Sequence, residues 1–138
     1  MGRLKAVVNT VNLLTGISSR HNKSLRNLHD WSATLQKFLS DYQLYGRADA
    51  NFLLENSGDA KFDLTAIVHN SRNLKSQVKN IKNSQVLSLF EEVVNQIETM
   101  RRTLINPSLR ENKLHEVVSG LKISFEKMHD TLSTIDYM

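Results

Sequence analysis

Apolar side chains recur at intervals of three and four residues along nearly the whole chain. This spacing places them on one face of an α-helix, whereas a half-buried strand would alternate apolar and polar residues. Asn-Gly and Asp-Gly pairs, the strongest hairpin signals, do not occur. The sequence therefore predicts an all-α fold of three long antiparallel helices, arranged as an elongated coiled-coil bundle.

Two sequence features divide this pattern into segments. In Asn-Ser-Gly-Asp at 56–59, Gly58 suits a helix terminus and Asp59 suits the N-cap of the next helix. Pro107 lacks a backbone donor and suits the first turn of a new helix. We therefore expect one domain spanning residues 1–138, with helices at about 3–54, 60–105 and 108–136.

Two stretches inside these predicted helices have weak helix propensity. Gly-Ile-Ser-Ser at 16–19 marks a site for a break or bend in the first helix. No Gly or Pro interrupts the second helix, but Asn-Ser-Gln at 83–85 is its weakest point and could host a break. An unbroken second helix would be a rod of roughly 70 Å, which favours a coiled-coil arrangement.

The third segment carries the most regular apolar stripe. Its spacings alternate between four and three residues, as in a heptad repeat, and we assign it as a self-association seam: Leu114, Val118, Leu121, Phe125, Met128, Leu132 and Ile135. The first two helices would outreach the third and leave apolar surface uncovered. A second copy is the simplest cover, so we predict a homodimer or a larger coiled-coil assembly, with other helical proteins as further partners.

The charge is unevenly distributed along the chain. The net charge is +4, but residues 1–82 carry 12 basic and 6 acidic side chains, and the remainder is net acidic. A basic stripe at spacings of three, four and three comprises Arg72, Lys75, Lys79 and Lys82. Such a row can bind an anionic membrane surface, at about 1 kcal/mol for each cation near the headgroups. The alternative is a solvated face, or pairing with Asp30 and Asp41.

The first helix begins with an amphipathic N-terminal stripe of Leu4, Val7, Val8, Val11 and Leu14. A helix of this kind can lie in the membrane interface. It lacks an aromatic anchor, however, and its polar face is rich in Asn and Thr rather than Lys. We therefore favour a role in packing.

The residues offer little for catalysis or metal binding. With no Cys, thiol chemistry and Cys-ligated metals are excluded. The five histidines never form a His-x-x-x-His pair, and a Glu-x-x-His element occurs once, at Glu126 and His129, where a di-iron bundle needs two. The phenylalanines follow the helical seams, which argues against a nucleic-acid stacking surface. We predict no enzyme activity, no metal and no cofactor.

Three short patterns resemble known families. Arg110 and His115, separated by four residues, resemble the catalytic pair of HEPN ribonucleases, which implies RNA cleavage by a helical dimer, although Glu111 departs from that motif. Leu28 and Trp31 resemble the Leu-x-x-Trp of spectrin repeats. The helix lengths and basic face resemble the layout of BAR-type domains, which are membrane-shaping dimers of three long helices.

The leading functional hypothesis is a non-enzymatic interaction or scaffold module that self-associates, with membrane binding through the basic stripe as its sharper form. The alternatives are the HEPN-like ribonuclease and a subunit of a larger tethering or assembly complex. Ala6 stands where a myristoylation signal has Ser or Thr, and polar residues interrupt the early apolar run. We therefore expect a cytoplasmic protein that attaches to membranes only peripherally, if at all.

Overall fold

The computed structural model describes residues 2–45 and 64–138, and within these ranges it leaves out the side chains of 2–15, 17, 41–45, 65, 107 and 110–112. Across the described ranges every regular element is helical, which confirms the all-α prediction. The elements are α1 (Gly2–Tyr45), α2 (Leu64–Val78), a 3₁₀ turn (Lys79–Ile81), α3 (Ser84–Ile105) and α4 (Pro107–Leu132).

Helices α1 and α2 pack side by side and run in opposite directions. Asn80 donates to Ser24 Oγ at 3.3 Å, Asn27 donates to Gln77 at 2.7 Å, and Trp31 Nε1 donates to the Ile67 carbonyl at 3.1 Å. As the residue number rises in α1, that of its partner in α2 or the following 3₁₀ turn falls. The two helices are therefore antiparallel.

Helices α3 and α4 form the most extensive helix pair among the described residues. Ser124 donates to Glu92 at 2.9 Å, and Gly120 lies beside Gln96, so this pair is also antiparallel. Helix α2 packs against α3, and α1 contacts α4. Together the four helices form a bundle around one apolar core.

Trp31 joins three helices in that core. Its ring is 6% exposed and meets Phe90 of α3 edge to face, with ring centroids 5.2 Å apart and planes at 64°. Its indole N–H donates to a backbone carbonyl of α2, so the polar group of this large side chain is satisfied within the core. The packing of α1, α2 and α3 thus converges on one residue.

The predicted unbroken helix over 60–105 is wrong, because the chain turns between α2 and α3, and the break falls beside the weak point noted at 83–85. Helix α2 ends at Val78, the 3₁₀ turn follows, and Lys82 adopts the left-handed conformation with φ 54° and ψ 39°. Asn83 then caps α3, its side chain accepting from the Val86 backbone N–H at 3.0 Å. The turn buries both Ile81 and Val86 in the core, which a straight helix would not achieve within a compact bundle.

The remaining boundaries agree more closely with the sequence pattern. Helix α4 begins at Pro107, and Asn106 caps it by accepting from the backbone N–H groups of Ser108 and Leu109. Helix α1 continues through residues 16–19 without the suggested break, because one Gly in a helix costs only about 1 kcal/mol. The predicted boundary at 56–59 lies outside the described residues.

Candidate functional site

The predicted self-association seam lies inside the bundle of a single chain. From Leu114 to Leu132 its six residues are at most 6% exposed, and Ile135 is partly buried against the same core. The seam is therefore covered by the chain's own helices.

The basic stripe is exposed but divided. Arg72 pairs with Glu98 of α3 at 3.3 Å, rather than with Asp30 of α1, and Lys75 lines a groove that also contains Glu91. Carboxylates of α3 therefore offset the first half of the stripe. In the second half, Lys79 lies in the 3₁₀ turn and Lys82 in the left-handed position that follows, so the four cations do not share one continuous helix.

The antiparallel pairing of α1 and α2 brings a second group of cations to the same end of the bundle. Residues 1–29 and 64–90 contain no Asp or Glu, and the contacts of residues 24–27 with residues 77–80 place these two acid-free stretches side by side. The resulting cationic end consists of Arg20, Lys23, Arg26, Lys79 and Lys82, all of them exposed.

None of these five cations forms an ion pair with a described carboxylate. The sequence analysis missed the contribution of α1 to this end. The signal was present, since the first acidic residue of the chain is Asp30. It becomes informative only once the pairing of α1 with α2 is known.

The C-terminal tail packs against α1 at the same end. Asn22 holds Met138 through two bonds, donating to its carbonyl at 3.1 Å and accepting from its backbone N–H at 2.8 Å. His21 is 5% exposed, and its Nε2 bonds the Asp136 carbonyl at 3.0 Å. Tyr137 stacks on His29, with ring centroids 6.3 Å apart. These contacts hold the tail next to the cationic end.

The buried face of α1 follows a heptad register. In the usual heptad letters, the residues at positions a and d are all buried, with at most 6% of each exposed: His21, Leu25, Leu28, Ser32, Leu35 and Leu39. Counting back by sevens along the same continuous helix gives Leu4, Val7, Val11 and Leu14 at the same positions. Val8 adjoins them at position e. The side chains of the N-terminal stripe lie outside the described residues, so their a, d and e positions are assigned from the heptad spacing alone.

Counting towards the N-terminus, His21 is the last residue at an a or d position whose side chain is described as buried. His21 is buried, whereas Ser18, the preceding a position, is half-buried, and Ser19 and Arg20 are exposed. Helix α1 continues to Gly2, which at 1.5 Å per residue adds roughly 27 Å beyond that point. The core register therefore extends past the end of the packing described for α1.

The residues considered for catalysis and metal binding are not assembled into a site in the described part of the chain. His115 is exposed, and the side chain of Arg110 lies outside the described residues, so no geometry supports a ribonuclease pair. Among the described side chains, no group of three or more His, Asp and Glu residues could hold a metal ion. His129 is exposed and packs against the buried Phe125, with ring centroids 5.9 Å apart.

The comparisons with known proteins returned no matches. No protein-family model matches the sequence, and no curated protein or solved structure does so either. Over the described residues, no helix combines the length and the apolar character needed to cross a membrane.

Proposed function

We propose that this protein is a non-enzymatic interaction module that self-associates through the N-terminal stripe, forming an elongated homodimer. The observation that carries the proposal is the continuity of register in α1. The positions that build the core at residues 21–39 recur at residues 4–14, beyond the packing described within one chain. A second copy of the same segment is a partner with matching spacing.

The sequence of this segment favours helix pairing. Two heptads supply Leu and Val at all four a and d positions, and each such side chain contributes about 1.5–3 kcal/mol when fully buried. The only charged residues between positions 1 and 19 are Arg3 and Lys5. The segment also lacks the Lys-rich polar face of a typical interfacial helix, which favours a protein partner over lipid.

Charge favours an antiparallel dimer. A parallel pair would place two cationic ends next to each other, where their repulsion opposes association. In an antiparallel pair centred near residue 9, Leu4 faces Leu14 and Val7 faces Val11 of the second copy. The two cationic ends then lie roughly 30 Å apart, several times the screening length of about 8 Å at physiological salt.

The resulting particle has a bundle at each end of a short coiled coil, which suits a scaffold or tether. This is the form that the predicted elongated, dimeric coiled coil takes in our proposal. The predicted seam in α4 stays within each bundle, and the contact between copies is made by α1 alone.

Light scattering coupled to size-exclusion chromatography tests the proposal. We expect the parent chain to have twice the 15.8 kDa mass of one copy. Val7→Asp/Val11→Asp places two charges at d and a, and we expect it to be monomeric. Asn9→Asp/Asn12→Asp is the matched control, because it adds the same charge at positions f and b, on the far side of the helix.

The outcomes are distinct. A dimeric parent and control with a monomeric Val7→Asp/Val11→Asp supports the proposal, provided that circular dichroism shows the bundle still folded. A monomeric parent contradicts it. So does a Val7→Asp/Val11→Asp protein that remains dimeric.

A further inference from the structure

We infer that the cationic end is a binding site for anionic phospholipid surfaces. It is formed by Arg20, Lys23, Arg26, Lys79 and Lys82, with the exposed side chains of Tyr137 and Met138 beside it. This inference does not depend on the proposed dimer, since all of these residues belong to one chain.

The charge at this end is strongly one-sided. Five exposed cations come from α1 and from the turn beside it, and the described carboxyl side chains that adjoin them are Asp136 in the tail, whose carbonyl bonds His21, and Asp30 one turn beyond Arg26. The rest of the basic stripe differs, because Arg72 is paired and Lys75 lies near Glu91. A membrane surface would therefore attract this end in preference to the remainder of the bundle.

Exposed apolar and aromatic side chains accompany the cations. Tyr137 is 52% exposed and Met138 is 67% exposed. Two Asn22 bonds hold the Met138 backbone against α1, and Tyr137 stacks on His29. A Tyr beside basic residues is typical of the membrane interface, where its ring meets acyl chains and its hydroxyl meets headgroups. The cations and the tail thus combine the two features that peripheral lipid binding uses: positive charge for the anionic headgroups, and exposed apolar and aromatic groups for the membrane interface.

The same surface is less suited to nucleic acid. Binding of single strands relies on several aromatic rings that stack successive bases within a basic groove. Here Trp31, Phe38, Phe90 and Phe125 are buried in the core, which leaves Tyr137 as the one exposed Phe, Tyr or Trp ring among the described side chains. Lipid headgroups need no such stacking, so we commit to the membrane as the partner.

Co-sedimentation with vesicles tests the inference. The vesicles are phosphatidylcholine with about one third phosphatidylserine, and phosphatidylcholine alone serves as the neutral reference. Lys23→Glu/Lys79→Glu reverses two charges at the cationic end. Arg102→Glu/Lys113→Glu makes the same change of net charge at exposed positions near the opposite end of the bundle.

We expect the parent and the Arg102→Glu/Lys113→Glu control to bind only the anionic vesicles, and to be released as salt rises. Lys23→Glu/Lys79→Glu should bind at least about 30-fold more weakly, because each lost cation is worth about 1 kcal/mol at the surface. Circular dichroism of both variants confirms that their bundles are folded.

Several outcomes would overturn the inference. The first is that the parent protein does not bind anionic vesicles. The second is that both variants lose vesicle binding to the same extent. The third is that the protein binds a single-stranded oligonucleotide but does not bind vesicles. Because vesicle binding and mass in solution are separate measurements, failure here leaves the dimer proposal standing, and the reverse also holds.

Discussion

The effect of Lys82→Gly on the free energy of unfolding has one sign if the chain turns between α2 and α3, and the opposite sign if the helix is continuous. Lys82 occupies the left-handed region at φ 54° and ψ 39°. That conformation costs an L-residue about 1–2 kcal/mol, and it costs Gly nothing. The larger conformational entropy of Gly in the unfolded chain offsets about 0.5–1 kcal/mol of this stabilisation. We therefore expect Lys82→Gly to stabilise the protein by about 0.5–1 kcal/mol.

In a continuous helix the same substitution would have the opposite effect. Replacing Lys by Gly in a helix interior destabilises by about 0.8–1 kcal/mol. The two arrangements thus differ by roughly 1.5 kcal/mol. Lys127→Gly, at an exposed position inside α4, is the matched control, because it removes the same charge from a true helix interior.

Urea unfolding followed by far-ultraviolet circular dichroism measures the difference. With an m value of about 1–3 kcal/mol per molar urea, the midpoint of Lys82→Gly should rise by at least about 0.2 M, and that of Lys127→Gly should fall. Asn83→Ala, which removes the α3 cap, should cost about 1 kcal/mol. The turn is refuted if Lys82→Gly loses as much stability as Lys127→Gly.

Three further predictions concern packing and surface contacts. Phe90→Ala should cost about 3–5 kcal/mol in urea unfolding and redshift the fluorescence of Trp31, since it opens the core beside the indole. Glu98→Gln should change stability by less than about 1 kcal/mol, because its pair with Arg72 is exposed. Asn22→Ala should cost about 1 kcal/mol and speed amide exchange in the tail, since Met138 loses both of its bonds.

Each of these has an outcome that would count against the structure. An unchanged emission maximum in Phe90→Ala would place the single Trp away from that ring. A large loss in Glu98→Gln would mean that the pair is buried. Tail amides that exchange at the same rate in Asn22→Ala and in the parent would show that Asn22 does not hold the tail.

The apolar periodicity predicted the helices well wherever it coincided with strong boundary chemistry. Pro107 both ends the preceding helix and starts α4, and the stripe from Leu114 to Leu132 is buried throughout. Both features are local, because a proline's backbone and a heptad spacing act within a few residues. The all-α fold followed from the same signals.

The turn at Lys82 was predictable only in part: the weak stretch 83–85 and the capping residue Asn83 adjoin it, but Lys82 itself carries no turn signal. Lys is a good helix former, and no Gly or Pro lies nearby. What favours the turn is the burial of Ile81 and Val86 on either side of it, a tertiary effect. Gly16 illustrates the converse, since a weak helix former stays within α1 despite its propensity.

The candidate site was predictable only in part. The cations from Arg72 to Lys82 were visible as a stripe, but the Arg72–Glu98 pair and the neighbouring Arg20 and Lys23 depend on how the helices pack. Likewise, the N-terminal stripe was visible in the sequence. Its shared register with the core of α1 emerges only when burial identifies the a and d positions from His21 onward.

Cysteine cross-linking tests the proposed dimer most directly, because the chain contains no Cys. In the antiparallel arrangement, position 7 of one copy faces position 11 of the other. A mixture of Val7→Cys and Val11→Cys chains should therefore oxidise to a covalent heterodimer, while each variant alone should stay largely uncross-linked. Efficient cross-linking of each variant with itself would instead demonstrate a parallel pair, and no cross-linking in the mixture would contradict pairing through α1.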